Sequence, residues 1–148
     1  MSITSDELID DIFNINPKTL SNCIFRNTEI YARVYKVYDG DTISVIFKFN
    51  KEFIKYSCRI VGIDTPELRT KNTEEKKLGI IARDYLRELV LEKIIKIKVL
   101  DFDKYGRLLI NLYTPDDDKD ISNMMVAKKL NGAFNAFICV CVYMLRCI

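Results

Sequence analysis

The hydrophobic pattern changes its period twice along this chain, and this change limits the folds that are open to it. Three segments rich in β-branched and aromatic residues come first, at 29–38, 42–49 and 52–63, and the turn residues between them predict a β-meander. Residues 94–100 and 108–113 have the same character. Between these two groups the apolar residues recur at spacings of three and four, which predicts an amphipathic helix.

Both predicted helices have recognisable start signals. Asn72, followed three residues later by Glu75, resembles a capping box ahead of the first helix. A second helix is predicted over residues 121–130, with Asp120 as its N-cap. Five strands, with helices after the third and the fifth, predict an α+β fold that is mainly β. We therefore expect a five-stranded barrel of the OB type with helices packed against it, rather than a parallel sheet.

Composition divides the chain of 148 residues into three parts. Residues 1–27 are predicted to form an acidic N-terminal arm and linker, with a short helix over residues 6–13. Residues 28–132 form the predicted barrel domain. Residues 133–148 are predicted to form an apolar C-terminal tail, and three roles are open to it: packing internally, binding a partner or associating with a membrane. All 23 Lys and Arg residues follow residue 16, so the remainder of the chain has a basic excess that suits a polyanion.

The absence of histidine excludes several classes of site. Ser-His-Asp and Cys-His nucleophilic machinery is ruled out, as is any His-ligated zinc or iron centre. The five cysteines are odd in number and form no Cys-x-x-Cys pair, which predicts a reduced, intracellular chain. We expect neither a signal peptide nor a membrane-spanning helix, because the start lacks a basic n-region and no apolar run is long enough.

Carboxylates come from two separate segments. Asp41 belongs to an Asp-Gly-Asp-Thr motif in the predicted turn after the first strand, while Asp64 and Glu67 flank Pro66 after the third strand. Each group has an ordinary alternative interpretation, as a plain hairpin turn or as solvated surface acids. As ligands, oxygen donors without sulfur or imidazole favour Ca²⁺ or Mg²⁺ over zinc, and the sequence does not separate these two ions.

Two arginines complete the predicted chemistry. A guanidinium group forms paired hydrogen bonds to phosphate, which suits it to the charge that develops during phosphodiester cleavage. Arg107 follows a turn at Gly106. Arg59 lies five residues before Asp64, an odd spacing that places the two on one strand face only with a bulge or twist. Singly each arginine is an ordinary surface charge, but with the carboxylates they predict metal-assisted phosphodiester cleavage.

Three motifs resemble the staphylococcal-nuclease-like, or thermonuclease, family. They are Asp-Gly-Asp-Thr at 39–42, Arg-x-x-x-x-Asp-Thr-Pro-Glu at 59–67 and Asp-Lys-Tyr-Gly-Arg at 103–107, within a resemblance that covers residues 29–131. The resemblance implies an OB barrel and a calcium-dependent endonuclease. Such an enzyme cleaves DNA and RNA with little sugar or sequence specificity, and it releases 3′-phosphate and 5′-hydroxyl ends.

The resemblance also implies a role for each matching residue. Asp41 and Asp64 would bind one Ca²⁺ through their carboxylates and Thr65 through its backbone carbonyl, while Glu67 would position or deprotonate the attacking water. The remaining residues would act on the substrate: Arg59 and Arg107 would hold the phosphate and stabilise the transition state, and Lys104 and Tyr105 would contact substrate phosphate.

The chain departs from the family's pattern in the hairpin and near its end. Thirteen residues separate Val45 from Arg59, which predicts a longer hairpin between the second and third strands. Phe134 and Phe137 stand where the family often carries a base-stacking tyrosine. The alternative function is a non-catalytic OB module that binds nucleic acid or protein. Such a module would be expected to have lost some of the catalytic and metal residues, and none is missing.

Overall fold

A computed structural model of the chain describes Asn14 and residues 23–128. The predicted helix at 6–13 and the predicted tail at 133–148, including both tail phenylalanines, lie outside these residues. The elements are β1 (Glu29–Val37), β2 (Thr42–Phe49), β3 (Glu52–Ile60), α1 (Thr73–Val90), β4 (Ile94–Phe102), β5 (Leu108–Tyr113) and α2 (Ile121–Lys128).

The five strands close into a barrel in the order β1-β2-β3-β5-β4. Every neighbouring pair is antiparallel except β3 and β5, which run parallel and pair only through Cys58–Ile60 and Leu108–Ile110. This arrangement confirms the predicted α+β, mainly β fold with an OB-type barrel. Closure of the sheet removes the free edges that an open sheet would present, except along the distal part of the β2–β3 hairpin.

Alternation along the strands fills the barrel. In β2, Ile43, Val45 and Phe47 are buried, whereas Ser44 and Ile46 between them are less buried. Successive side chains on a strand point to opposite faces, so every second residue enters the interior. Each such aliphatic or aromatic side chain contributes roughly 1.5–3 kcal/mol by leaving water. The interior is therefore a packed core, and the site described below lies on its rim.

Strand β3 ends three residues earlier than the sequence predicts. It stops at Ile60, and a turn at Val61 and Gly62 follows, with Gly62 at a φ of 81°. Glycine adopts this left-handed conformation without the steric cost that a side chain would add. The turn directs residues 63–72 back over the end of the barrel, which places Asp64 off the strand.

The start of α1 confirms one half of the predicted capping box. The Asn72 side chain accepts hydrogen bonds from the amides of Glu74 and Glu75, at 3.0 and 3.2 Å. The other half was wrong, because the Glu75 carboxylate accepts from the Thr70 hydroxyl at 2.6 Å instead of from the Asn72 amide. The backbone amide of Asn72 donates instead to Thr70 Oγ1, at 3.2 Å. The buried side of the helix consists of Gly79, Ala82, Leu86 and Val90.

Helix α2 begins where the sequence places it. Asp120 accepts from the amides of Ser122 and Asn123, at 2.7 and 3.3 Å, which confirms it as the N-cap. The Ser122 hydroxyl also donates to the carbonyl of Val61 at 3.3 Å, so the helix is tied to the turn after β3. No helix within residues 23–128 is long and apolar enough to cross a membrane.

The segment before β1 belongs to the packed domain. Cys23 and Phe25 are only 2% exposed, and the Asn27 amide donates to the carbonyl of Val99 at 2.8 Å. Residues 23–27, which are predicted to belong to the N-terminal arm, therefore pack against the barrel.

Candidate active site

Three chain segments meet at one end of the barrel around a concavity of about 360 Å³. They are the β1–β2 turn, the loop after β3 and the β4–β5 turn. Of the eight residues predicted for the site, seven line this concavity, and Lys104 does not. The lining residues are Tyr38, Asp39, Asp41, Thr42, Arg59, Asp64, Thr65, Glu67, Leu68, Arg69, Tyr105 and Arg107.

Two glycines allow these segments to approach one another. A Cβ atom on Gly40 would stand 2.7 Å from Thr65 Cγ2 and 2.9 Å from Ala82 Cβ. A Cβ atom on Gly79 would stand 2.6 Å from the carbonyl oxygen of Pro66. Gly40 has no positive φ, so its role is close packing, in addition to the turn that the Asp-Gly pair predicts. The loop is thus held between the β1–β2 turn and α1.

Arg59 joins the two carboxylates predicted to bind metal. Its Nη2 lies 3.2 Å from Asp41 Oδ2 and 3.0 Å from Asp64 Oδ1. Arg59 pairs with Thr42 across β2 and β3, and the Ile60 amide donates to the Asp41 carbonyl at 2.8 Å, so the sheet fixes the arginine beside Asp41. The odd spacing between Arg59 and Asp64 is resolved by the turn after Ile60 rather than by a bulge or strand twist.

Asp41 and Asp64 differ in their surroundings. The Asp41 side chain is 5% exposed and that of Asp64 is 60% exposed. Burial, together with the neighbouring charge of Asp39, raises the pKa of Asp41 to about 6, although Arg59 and the Thr42 hydroxyl act in the opposite direction. The ionised form of Asp41 is thus under-stabilised, and additional positive charge at this carboxylate would favour it.

The donor set suits a hard divalent cation. Within residues 23–128, no group of three or more Asp, Glu or Cys side chains is arranged to hold a metal ion. Two carboxylates with a backbone carbonyl, and with water for the other positions, are oxygen donors of the kind that Ca²⁺ and Mg²⁺ accept. The convergence of Asp41 and Asp64 on one guanidinium nitrogen shows that both carboxylates can face a single positive charge.

Thr65 contributes a further oxygen at this point. Its hydroxyl oxygen is buried and has no hydrogen-bond partner among the residues that the structure describes. Burying a hydroxyl group without a partner costs roughly 1–3 kcal/mol. The backbone carbonyl of Thr65, for which the family resemblance implies a metal-binding role, belongs to the same residue of the concavity wall.

The second guanidinium is held by its own turn. Asp103 accepts from Arg107 Nε at 2.7 Å and from the Arg107 amide at 2.9 Å. It also accepts from the Tyr105 amide at 2.8 Å. Desolvation would raise the pKa of Asp103, but these hydrogen bonds outweigh it and hold the pKa below its ordinary value. Gly106 has a φ of 79°, as the predicted turn requires.

A short chain of contacts connects the two arginines. Arg107 Nη1 donates to Thr42 Oγ1 at 3.4 Å, and the Thr42 hydroxyl donates to Asp41 Oδ1 at 2.9 Å. Asp41 in turn contacts Arg59. The guanidinium groups therefore flank the buried carboxylate, and both line the same concavity.

The other predicted residues differ in how they are held. Glu67 is exposed, lines the concavity and makes no hydrogen bond or ion pair with the described part of the chain. Tyr105 is 71% exposed, with the Arg107 guanidinium 5.6 Å from its ring centre. Lys104 Nζ lies 4.9 Å from the same ring centre. Lys104 thus sits beside the concavity rather than in its wall.

Tyr38 and Arg69 are among the lining residues that were not predicted for the site. The Arg69 guanidinium lies 5.5 Å from the centre of the Tyr38 ring, and both residues line the site. The available signals were the position of Tyr38 directly before Asp39 and that of Arg69 two residues after Glu67. Arg69 adds a third guanidinium to the concavity, beyond the two that were predicted.

Comparison with known proteins finds a matching family and related sequences. The sequence profile described as "Staphylococcal nuclease homologue" matches residues 57–136, which is more than half of the chain. An uncharacterized endonuclease of Escherichia coli O157:H7 is 33% identical over 88 residues, covering 60% of this chain and 51% of the relative. The chain spans about half the length of the curated relatives that it matches.

Two further relatives come from Staphylococcus hyicus and Bacillus subtilis. A thermonuclease of Staphylococcus hyicus is 30% identical over 105 residues, covering 70% of this chain and 57% of the relative. Endonuclease YncB of Bacillus subtilis (strain 168) is 33% identical over 98 residues, covering 62% of this chain and 42% of the relative. Together with the barrel and the three converging motifs, these matches show that the chain belongs to the staphylococcal nuclease homologue family.

Proposed function

We propose that this chain is a calcium-dependent endonuclease that hydrolyses phosphodiester bonds in DNA and RNA with little sugar or sequence specificity. The observation that carries the proposal is the arrangement of Arg59 and Arg107 on either side of Asp41, with the unpaired carboxylate of Glu67 in the same concavity. The names of the relatives, which are endonucleases and thermonucleases, support the same class of reaction.

Asp41, Asp64 and the Thr65 carbonyl would hold one Ca²⁺. A divalent cation bound there supplies Lewis-acid polarisation of a phosphate oxygen. The support for a metal site is an oxygen-only donor set, the raised pKa of Asp41 and the absence of histidine from the chain. Since Mg²⁺ accepts similar ligands, the two ions have to be compared directly.

The side chains of the site divide the remaining work. Arg59 and Arg107 hold the scissile phosphate and stabilise the negative charge that builds on its oxygens, which is the largest contribution expected in such a site. Glu67 accepts a proton from the attacking water or orients that water. Water adds to phosphorus, the bond to the 5′-oxygen breaks, and the departing 5′-oxygen takes a proton from solvent water, which leaves 3′-phosphate and 5′-hydroxyl ends. Lys104 and Tyr105 contact neighbouring phosphate.

The alternative is an OB module that binds nucleic acid or protein without cleaving it. Binding alone requires basic and aromatic groups but neither a metal-binding carboxylate pair nor a free carboxylate beside it. Asp41, Asp64 and Glu67 are all present, together with both arginines, and this combination favours the enzyme.

The test is a cleavage assay with purified protein on plasmid DNA and single-stranded RNA, in Ca²⁺, in Mg²⁺ and in chelator, followed by end analysis. We expect cleavage with Ca²⁺, loss of cleavage in chelator, and 5′-hydroxyl ends that a kinase labels without phosphatase treatment. Chelator-resistant cleavage or 5′-phosphate ends would contradict the proposal, and absence of cleavage under every condition would favour the binding module.

A binding measurement tests the metal site independently of activity. Ca²⁺ should raise the melting temperature of the wild-type protein, because a ligand that binds only the folded state stabilises it. The same Ca²⁺ addition should leave the melting temperature of Asp41→Asn nearly unchanged. Asp84→Asn removes a carboxylate on α1 that lies outside the concavity lining and should respond to Ca²⁺ like the wild type.

A further inference from the structure

The β2–β3 hairpin extends past the rest of the barrel. Its two strands pair continuously from Thr42 with Arg59 to Phe49 with Glu52, and the turn at residues 50–51 has both residues at positive φ. The thirteen residues between Val45 and Arg59 therefore form the distal part of this long hairpin.

The distal part of the hairpin has no neighbouring strand within the described residues. Strand β1 pairs with β2 only as far as Ile46, and β5 pairs with β3 only through Cys58–Ile60. Residues 47–57 therefore pair only with one another. We call this two-stranded ribbon the hairpin arm.

One face of the hairpin arm is held by aromatic contacts. The Phe25 ring meets the rings of Phe47, Phe49 and Tyr56 edge-on, at centroid distances of 5.4, 5.0 and 5.6 Å. An isolated two-stranded ribbon is only marginally stable in water, so these contacts support the arm. They occupy one face and leave the opposite face exposed.

The opposite face is basic and leads to the active site. Residues directly across a strand pair share a face, and the pairs on this face run from the arm tip to Arg59 of the site. They are Lys48 with Phe53, Ile46 with Lys55, Ser44 with Ser57, and Thr42 with Arg59. Lys36 on β1 lies opposite Ser44 in the same row. We call the exposed side chains Lys36, Lys48, Phe53 and Lys55 the arm face.

The charges of the arm face are not neutralised within residues 23–128. Lys36, Lys48 and Lys55 make no ion pair with any residue in that range. Lys48 Nζ instead lies 5.9 Å from the ring centre of Phe53, which is 76% exposed. Glu52, the acidic residue of the arm, pairs with Phe49 and so belongs to the face towards Phe25.

We propose that the arm face binds the nucleic acid strand that leads away from the scissile phosphate, with the lysines contacting phosphates and Phe53 stacking on a base. This inference rests on the proposed function, because it takes the phosphate held at Arg59 as its starting point. Phe53 and Arg59 lie six positions apart along β3, a distance on the order of 20 Å. At the rise of about 3.4 Å per nucleotide of a stacked, B-form strand, the face spans at most about six nucleotides, and a more extended strand places fewer on it.

The physical basis is charge complementarity to a polyanion, with an exposed ring that offers a stacking platform tolerant of sequence. The proposal therefore predicts a dependence on substrate length. A single-stranded DNA long enough to reach the arm tip should bind more tightly than a dinucleotide. Substitutions in the arm face should change the affinity for the long strand only.

The experiment measures affinity by fluorescence anisotropy in the Glu67→Gln background with Ca²⁺ present, so that turnover is slow. For the long strand, Lys48→Gln/Lys55→Gln should reduce the slope of log affinity against log salt by about 1.4, at about 0.7 for each phosphate that is no longer neutralised. Phe53→Ala should weaken its affinity at least about fivefold, and Phe53→Trp should retain it. Dinucleotide affinity should not change in any of these variants.

The matched control is Lys77→Gln/Lys119→Gln, which removes the same charge from two exposed lysines outside the arm face. An equal loss in the control, an equal loss for the dinucleotide or an unchanged long-strand affinity would overturn the inference. Binding to phosphatidylserine vesicles that the arm variants abolish while DNA affinity stays unchanged would assign the face to a membrane and overturn it too. If the wild-type chain cleaves nothing while the arm variants still lose DNA affinity, the nuclease proposal fails and the arm face stands.

Discussion

Gly40 and Thr65 lie so close together that a Cβ atom at position 40 would stand 2.7 Å from Thr65 Cγ2 and 2.8 Å from Thr65 Oγ1. The two residues belong to different segments. Gly40 directly precedes Asp41 and Thr65 directly follows Asp64, and both aspartates are predicted metal ligands. The distance between the two carboxylates therefore depends on how closely these backbones approach. The absence of a side chain at position 40 is a structural requirement of the site.

Gly40→Ala should accordingly destabilise the protein by about 1–3 kcal/mol, the usual cost of forcing atoms into a packed region. In a Thr65→Ala background the cost should fall but not vanish, because the Cβ atom of Ala82 would still lie 2.9 Å away. Urea denaturation of the four proteins in this cycle measures the coupling. An identical cost in both backgrounds would show that position 40 is restricted for another reason.

Asp41 should make the metal-free protein less stable as the pH rises. Its pKa is about 6 in the folded protein against 3.8 ordinarily, so the folded state binds the proton more tightly than the unfolded state does. The stabilisation from that proton is complete below pH 3.8 and is lost as the pH rises through 6. Asp41→Asn should remove this loss and gain about 3 kcal/mol near pH 7 in chelator, with no gain below about pH 4.

Urea denaturation from pH 4 to pH 8 in chelator checks this expectation. Asp84→Asn, which changes an exposed carboxylate on α1, serves as the control and should show no such pH-dependent gain. A gain for Asp41→Asn that is the same at every pH would mean that the buried charge is not its cause.

Arg107→Lys should lower kcat by about 100-fold or more, since a lysine offers a single point charge where the guanidinium offers paired donors. The lysine also cannot reproduce the Nε contact with Asp103, which measures 2.7 Å. Steady-state kinetics on a defined oligonucleotide measures the effect, and Arg83→Lys on α1 supplies a control whose arginine contacts Asp84 outside the concavity lining. Wild-type turnover in Arg107→Lys would show that Arg107 takes no part in catalysis.

Most of the fold could be predicted from local sequence patterns. Strand alternation, turn residues and the caps at Asn72 and Asp120 depend on neighbours within a few positions, so they can be read directly from the chain. The parallel pairing of β3 with β5 joins residues about fifty positions apart through only three pairs, and no local pattern indicates it. The burial of Phe25 was missed for the same reason, because its aromatic partners lie on the distant β2–β3 hairpin.

The site was predictable in composition but not in geometry. The motifs identified the charged residues, yet the contact of Arg59 with Asp64 needs the turn at Gly62. A glycine in an apolar segment does not by itself reveal a positive φ. Arg69 was missed because it belongs to no motif and reaches the concavity only through the path of the loop, where it lies against Tyr38.

Glu67→Gln should lower kcat by about 10²- to 10⁴-fold, the range expected when a general base is lost. Because Glu67 is exposed and makes no ion pair within residues 23–128, the substitution should leave the free energy of unfolding and the Ca²⁺ affinity almost unchanged. Single-turnover cleavage, urea denaturation and calorimetric Ca²⁺ titration measure these three quantities. Glu88→Gln, an exposed change on α1, is the control. Cleavage at the wild-type rate would remove Glu67 from the mechanism, whereas a parallel loss of Ca²⁺ affinity would make it a metal ligand instead of the base.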